Sequence, residues 1–341
     1  MNEVFVPDEL DLALLESLQR APRASWALIS QALDVAPITL ARRWDRLRDA
    51  GLAWVSATPG PAFHDVGVTA FVLLRCRPRL RGKLTARLQN DPSVATLEIT
   101  GGAPDLSMTV FARSLRALQD GLLSRLAAYP GVDSVEISIV TTLYGEGSRW
   151  RVRALDTHQV NRLTSAAARD AHARPEMPQL DLIDRALLDA LVVDGRMAFQ
   201  ELGSHAGVTP ATARRRVDRL IASGVTRVRC DLATPVFGWP VSATIWAKVP
   251  ANILQEVCRS LAGSPQVRVA AATTGANNLV VTYWLHSLRE FEAVEAALLE
   301  RFPAVVVSNR IIDLRPVKRM GRILGDEGQA AGVVPLRPWT D

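Results

Sequence analysis

Residues 8–143 of this 341-residue chain return as residues 181–316, displaced by 173 positions with no insertion or deletion, so one copy cannot fold without the other having the same fold available. A period this long means duplicated domains, not a solenoid of short units. The match is dense at the start of each copy, where Asp8, Asp11, Leu14, Leu15, Leu18 and Arg23 recur as Asp181, Asp184, Leu187, Leu188, Leu191 and Arg196. It is dense again further on, where Val35, Pro37, Thr39, Arg42, Arg43, Asp45, Arg46, Leu47 and Gly51 recur as Val208, Pro210, Thr212, Arg215, Arg216, Asp218, Arg219, Leu220 and Gly224.

Each copy opens with an amphipathic helix, with Leu10, Leu14, Leu15 and Leu18 in the first and Ile183, Leu187, Leu188 and Leu191 in the second on one face. A break at Ala21-Pro22-Arg23, or Asp194-Gly195-Arg196, leads to a short helix over Trp26–Leu33, or Phe199–Ala206. A tight turn then starts a third helix with proline at its first position, where the missing N–H costs nothing. Three short helices so joined predict a helix-turn-helix, closed by left-handed caps at Gly51 and Gly224 and followed by short strands at Trp54–Ser56 and Arg227–Arg229.

The remainder of each copy alternates differently. Strands are predicted at Val68–Cys76, Val94–Thr100, Leu106–Phe111 and Val132–Val140, with helices at Gly82–Gln89 and Leu115–Ala128. The second copy repeats the order with strands at Val241–Val249, Val267–Thr273, Leu279–Trp284 and Val305–Leu314 and helices at Ile253–Leu261 and Leu288–Arg301. This is the β-α-β-β-α-β order of a ferredoxin-like domain. The fold class is therefore α+β: two copies of a winged helix-turn-helix domain (1–58 and 181–231), each followed by a ferredoxin-like effector domain (59–144 and 232–322). Residues 145–180 read as a linker, with a short helix predicted at Thr157–Arg169, and 323–341 as a disordered tail. Fully extended, such a linker spans on the order of 100 Å, enough for the two copies to pair within one chain.

The charge is gathered where function would need it. In the third helix of the first copy, Leu40, Trp44 and Leu47 face the core while Thr39, Arg42, Arg43 and Arg46 lie opposite. In the second, Ala213, Val217 and Leu220 face inward, and Thr212, Arg215, Arg216 and Arg219 outward, with Arg214 adding charge. Guanidinium groups neutralise phosphates and give two hydrogen bonds to a guanine edge, so this face fits the major groove of double-stranded DNA. Thr209, which can cap its helix where Ala36 cannot, and Arg227 on the following strand complete the expected DNA contacts. A net charge of +5 agrees with a polyanionic partner.

Other classes find little support. Cys76, Cys230 and Cys258 have neither metal-ligand spacing nor counterparts between copies, so they read as buried thiols, and no metal, cofactor or catalytic residue is expected. Met1–Leu10 has three acids and no basic residue, and no apolar run approaches a membrane span, so a cytoplasmic protein without a membrane partner is expected.

With Asp194-Gly195-Arg196, Leu202, Val208-Thr209-Pro210 and Arg216-Val217-Asp218-Arg219-Leu220 in place, both copies resemble the Lrp/AsnC family of feast/famine transcription regulators. The resemblance covers essentially all of both copies. It implies a dimer fused into one chain, self-association into larger assemblies, and a small-molecule effector, an amino acid by family precedent. It places that effector at a Gly-x-x-Asp turn, here Gly102-Ala103-Pro104-Asp105 and Gly275-Ala276-Asn277-Asn278. Glycine would let backbone approach the ligand and a carboxylate would pair with its ammonium group. A β-turn needing Gly and Asp or Asn for its own geometry is the competing explanation. The alternative function is an enzyme like the sirohaem decarboxylases, which share the scaffold and hold a tetrapyrrole carboxylate with His and Arg. His64, His158, His172, His205 and His286 show no paired placement, and the chain is expected not to be an enzyme.

Overall fold

The computed structural model describes residues 5–167 and 179–339. In the first copy, helices α1 (Glu9–Arg20), α2 (Trp26–Leu33) and α3 (Pro37–Asp49) are followed by strand β1 (Ala53–Pro59) and a short helix α4 (Pro61–Val66). Then come β2 (Val68–Cys76), α5 (Arg81–Gln89), β3 (Val94–Gly101) and β4 (Leu106–Ala112). Helices α6 (Leu115–Leu118) and α7 (Ser124–Ala128), joined by a π-turn over Gln119–Leu123, lead to β5 (Val132–Gly145) and α8 (Thr157–Ala167). The second copy repeats the order as α9 (Leu182–Val193), α10 (Phe199–Ala206), α11 (Pro210–Ala222), β6 (Thr226–Leu232), β7 (Val241–Lys248), α12 (Leu254–Ala262), β8 (Val267–Thr273), β9 (Leu279–Leu285), α13 (Leu288–Arg301) and β10 (Val306–Arg319). Two short strands, β11 (Arg322–Leu324) and β12 (Ala330–Val333), end it.

Local chemistry fixes the helix ends. Asp8 and Asp181 cap α1 and α9, and Asp11 and Asp184 return the bond in reciprocal capping boxes. Helix α3 ends at Gly51 with φ 68°, where an added Cβ would lie 2.4 Å from the Ala330 carbonyl oxygen, so no other residue fits. Leu14, Leu15, Leu18, Ile29, Leu40 and Leu47 are fully buried, and so are Leu187, Leu188, Leu191, Leu202, Val217 and Leu220 of the second copy.

The two copies pair twice. Strand β1 pairs antiparallel with β6 over its whole length, from Ala53 opposite Leu232 to Pro59 opposite Thr226, so the wing of each helix-turn-helix is completed by the other. Each ferredoxin-like unit makes its own four-stranded sheet, β5-β2-β4-β3 and β10-β7-β9-β8. The 14-residue strands β5 and β10 then run past their own sheets. β5 pairs with β8 through Val140–Gly145, and β10 pairs with β3 through Ile312–Arg319. The eight strands close into a ring without free edges, which removes the usual hazard of unpaired strand edges. Helices α5 to α7 and α12 to α13 cover the outer faces over two separate cores. Phe71, Leu73, Trp246, Ala271, Val280 and Ile311 pack inside the ring.

Two segments differ from expectation. The tail after 322 is ordered through 339: β11 pairs with β10 and β12, Leu336 is fully buried against Phe63, Ala95 and Phe111, and Trp339 joins the core of the second helix-turn-helix. Gly325 and Gly328 make the turn between β11 and β12, and Gly332 lies within β12 opposite Ile323. The start of the linker is also structural, since Trp150, Val152 and Leu163 enter the core of the first helix-turn-helix and the Glu16 carboxylate accepts from Leu155 N–H at 2.9 Å. The last two residues of the helix predicted to Arg169 lie outside the described residues.

Candidate nucleic-acid interface and effector region

Helices α3 and α11 present the arginine faces, but four of those seven arginines also have another task. Arg43 Nη1 pairs with Asp8 and Asp11 at 2.6 and 2.9 Å, and Arg46 Nη2 with Asp11 at 3.0 Å. The second copy repeats the clamp: Arg216 meets Asp181 and Asp184 at 2.7 and 2.9 Å, and Arg219 meets Asp184 at 2.5 Å. Asp11 and Asp184 are each 1% exposed, so these arginines neutralise buried carboxylates on the first helix. Arg43 and Arg216 are largely drawn into these clamps, whereas Arg46 and Arg219 stay about half exposed on the helix face. The periodicity of α3 could not reveal the clamp, because the partner lies on another helix.

What remains open is narrower. Thr39 and Arg42 are exposed on α3, and Arg214 and Arg215 on α11, with Thr212 half-buried beside them. Arg214 reaches Asp218 at 3.8 Å and lies over the Phe199 ring. Among the described residues, Arg42 and its repeat equivalent Arg215 pair with no carboxylate. Thr209 caps α11 through the Thr212 N–H at 3.2 Å, whereas Ala36 makes no side-chain cap on α3. Arg227 pairs with Glu146 and Ser148, which ties it to the segment after β5.

The two Gly-containing turns have matched geometry. Gly102 and Gly275 adopt φ of 93° and 102° and are exposed. Asp105 Oδ2 accepts from Cys76 N–H at 2.8 Å, and Asn278 Oδ1 accepts from the equivalent Val249 N–H at the same distance. Asn278 Nδ2 also donates to the Val249 carbonyl at 2.8 Å. Both side chains therefore close their turns onto the end of the first sheet strand. Asp105 keeps one carboxylate oxygen uncommitted, while Asn278 has spent both its polar atoms.

Between the β1–β6 ribbon and the ring lies a charge cluster that the pattern reading missed. Arg229, Asp231, Arg268 and Arg319 are 1%, 2%, 5% and 3% exposed. Arg229 Nη2 meets Asp231 Oδ1 at 2.5 Å, Arg319 donates to the Leu232 carbonyl at 3.2 Å, and Arg268 and Arg319 each stack at 4.7 Å from the Trp284 ring centre. Asp313 accepts from the Ser242 hydroxyl at 2.6 Å. Burial pushes the Asp313 carboxyl well above the usual range, with Glu98 nearby adding to it, and burial raises Glu98 too. A signal existed in the repeat: Arg229, Arg268, Asp313 and Glu98 stand where the other copy has Ser56, Ala95, Val140 and Ala271. Charges at inward strand positions in one copy alone are not demanded by the shared fold.

Among the described residues no group of His, Cys, Asp and Glu could hold a metal ion, and no helix is long and apolar enough to cross a membrane. Cys76, Cys230 and Cys258 are buried and unpaired.

Comparison with known proteins connects this architecture to others. A full-length likeness is to the crystal structure of the siroheme decarboxylase NirDL, with a TM-score of 0.61, 13% identity and coverage of 95% of each chain. At that identity the likeness is one of fold. The expectation that the chain is not an enzyme is overturned by it, because the fold is shared over the full length with an enzyme. The sequence matches lie elsewhere. An uncharacterised HTH-type transcriptional regulator of Pyrococcus abyssi is 33% identical over 156 residues, covering 45% of this chain and 96% of that protein. The regulatory protein AsnC of Escherichia coli K12 is 27% identical over 141 residues, 40% of this chain and 92% of its own. The model of the AsnC-type helix-turn-helix domain matches residues 8–48 and again 180–221, and that of the Lrp/AsnC ligand binding domain matches 69–149. The chain belongs to the Lrp/AsnC family, as a form in which two copies are fused end to end.

Proposed function

We propose that the chain is a transcription regulator that binds double-stranded DNA as a single-chain pseudo-dimer, with α3 and α11 as its two recognition helices and a small molecule as its effector. The observation that carries this reading is the equivalent pair Arg42 and Arg215, exposed and without a carboxylate partner on otherwise clamped helices. Cations held at two related positions without internal counter-charge are suited to phosphates or base edges. Thr39, Thr212 and Arg214 extend the same two faces. The names of the relatives support the reading, since they are regulators of the same helix-turn-helix type.

The exposed turn of Gly102 and Asp105 is the proposed contact for an effector ammonium group, with self-association of pseudo-dimers bringing turns together. The unequal helices predict an asymmetric operator, its half-sites about one helical turn apart or a multiple of it. The test is a salt titration of DNA binding with Arg42→Ala/Arg215→Ala. Loss of two phosphate contacts should reduce the slope of log K against log salt by about 1.8. An unchanged slope in the folded double variant would reject these helices as the DNA contact.

A further inference from the structure

A small, partly open cavity at the inner wall of the ring is lined by Arg268, by the hydroxyl residues Thr69, Thr96 and Thr109, by the apolar side chains of Phe71 and Leu143, and by His64 and the Glu146 carboxylate, whose charge is taken by Arg227. Arg268 is 5% exposed, and its Nε and Nη2 have no hydrogen-bond partner. Arg229 beside it leaves Nε and Nη1 unpartnered, and Arg319 leaves Nε. A buried guanidinium with unmade bonds is costly, and among the described residues this cluster holds five such nitrogens against one unpartnered acceptor, Asp231 Oδ2. Gly147 on the cavity wall leaves the approach open: a Cβ there would come within 2.8 Å of Arg229 Nη2 and 3.2 Å of Arg268 Nε. None of this is inherited from the repeat, since the positions equivalent to Arg229 and Arg268 hold Ser56 and Ala95. The second copy has acquired cations where the first has small residues.

We propose that this cavity is a binding site for a small monocarboxylate, whose head group takes the free N–H groups of Arg268 and whose short tail lies against Phe71 and Leu143. A planar guanidinium fork matches a carboxylate by two parallel bonds, which favours this anion over a tetrahedral one. The cavity volume of about 40 Å³ sets the size. One water needs roughly 10–15 Å³ on this measure, so the space suits a group of about three to five heavy atoms. The Thr96 and Thr109 hydroxyls can donate to the same oxygens, while that of Thr69 is bonded to His64 Nδ1 at 2.9 Å. The site is separate from the Gly102–Asp105 turn, and it rests on the reading that the effector half takes small molecules.

The test is calorimetry and Trp284 fluorescence on the full chain without DNA, so that its outcome is independent of DNA binding. Propionate, its neutral counterpart propionamide, and inorganic phosphate are the probes. Propionate should bind saturably and perturb the fluorescence, because Arg268 lies on the Trp284 ring, while propionamide should not bind. Arg268→Met, close in length and without charge, should weaken propionate at least tenfold, the worth of a charge-assisted pair of bonds. If that variant does not fold, Arg268→Lys is read the same way, since it keeps the charge and loses the fork. Equal binding of propionate and propionamide, preference for phosphate, no binding at millimolar concentration, or unchanged affinity in the folded variant would each overturn the proposal.

Discussion

Arg23 and Arg196 are images of each other across the pseudo-twofold axis, each reaching into the other's copy. Arg23 donates to the carbonyls of Gly195 and Met197 and covers the Phe199 ring at 4.7 Å. Arg196 donates to those of Pro22 and Ala24 at 2.6 and 3.0 Å and covers the Trp26 ring at 4.3 Å. With the β1–β6 ribbon, this exchange sets the distance between α3 and α11. Arg23→Ala/Arg196→Ala should therefore relax that distance without touching either recognition helix. Wild type should discriminate between two operators whose half-sites differ by half a helical turn, and the double variant should discriminate less. Gel-shift affinities on the two operators check this; an undiminished ratio would show that the ribbon alone fixes the spacing.

Neighbouring arginines on α3 should behave oppositely. Arg43→Ala leaves Asp11, 1% exposed, with Arg46 as its remaining cation and removes the Arg43 partner of Asp8, and should cost about 1–3 kcal/mol of stability. Arg42→Ala should leave the melting temperature unchanged and weaken DNA binding. The acid response follows from Asp8: burial pushes its carboxyl up, but the Arg43 hydrogen bond, the Asp11 N–H and the charges of Arg43 and Arg46 together outweigh this and hold it below its ordinary 3.8. A carboxyl depressed in the folded state contributes stability that is present above the unfolded value and lost as pH falls through the folded one. Arg43→Ala should remove that increment, so variant and wild type should converge in stability as the pH is lowered below about 4. Urea unfolding across the acid range reads both effects.

Lys318 gives a dependence of the opposite sense. It is fully buried and donates to the Asp91 carbonyl at 2.8 Å, and burial lowers its pKa from 10.5 to about 8. Between those values the unfolded chain holds a proton that the folded chain has lost, so stability should rise as pH increases from about 8 to 10.5. The increment is on the order of 3 kcal/mol. Lys318→Met should abolish the rise, and denaturant midpoints at intervals between pH 7.5 and 10.5 measure it. Parallel curves for the two proteins would mean that the ammonium finds hydration in the folded state.

Much of the fold was legible because it depends on local pattern. The β2 strand, Val68–Cys76, and the β8 strand, Val267–Thr273, fall where alternation places them, and Gly51 and Gly224 end their helices with positive φ. What escaped depends on partners distant in sequence. Nothing near Ala53 announces that it pairs with Leu232, and nothing near Val140 announces Thr273. The tail was misread for a related reason: Leu336 and Trp339 are sparse apolar anchors in a glycine-rich segment, and anchors of that kind declare themselves only by what they pack against. The arginine faces were legible as charge but not as assignment, since a helical wheel cannot distinguish Arg42, facing solvent, from Arg43, facing Asp8 and Asp11. The Arg268 cluster could have been found by asking which inward strand positions differ between the copies.

The effector turns offer a built-in control, because Asp105 and Asn278 do the same structural work with different charge. Asn278 shows that an amide closes this turn: its Oδ1 holds the Val249 N–H as Asp105 Oδ2 holds that of Cys76, each at 2.8 Å. Asp105→Asn should therefore fold normally, with a melting temperature close to wild type. Asp105→Ala leaves the Cys76 N–H without its partner and should cost about 1–3 kcal/mol. Ligand binding separates the charge from the turn. If an amino acid's ammonium pairs with the uncommitted oxygen of Asp105, the native chain should show a tighter site at that turn and a weaker one at Asn278. The conservative variant should then lose the tighter site alone, a loss of about 2–5 kcal/mol for a desolvated pair. Calorimetry with a panel of amino acids on wild type and Asp105→Asn gives the answer. Unaltered binding in the variant, or no binding to either form at millimolar concentration, would leave both turns as backbone closures and move the search for an effector to the Arg268 cavity.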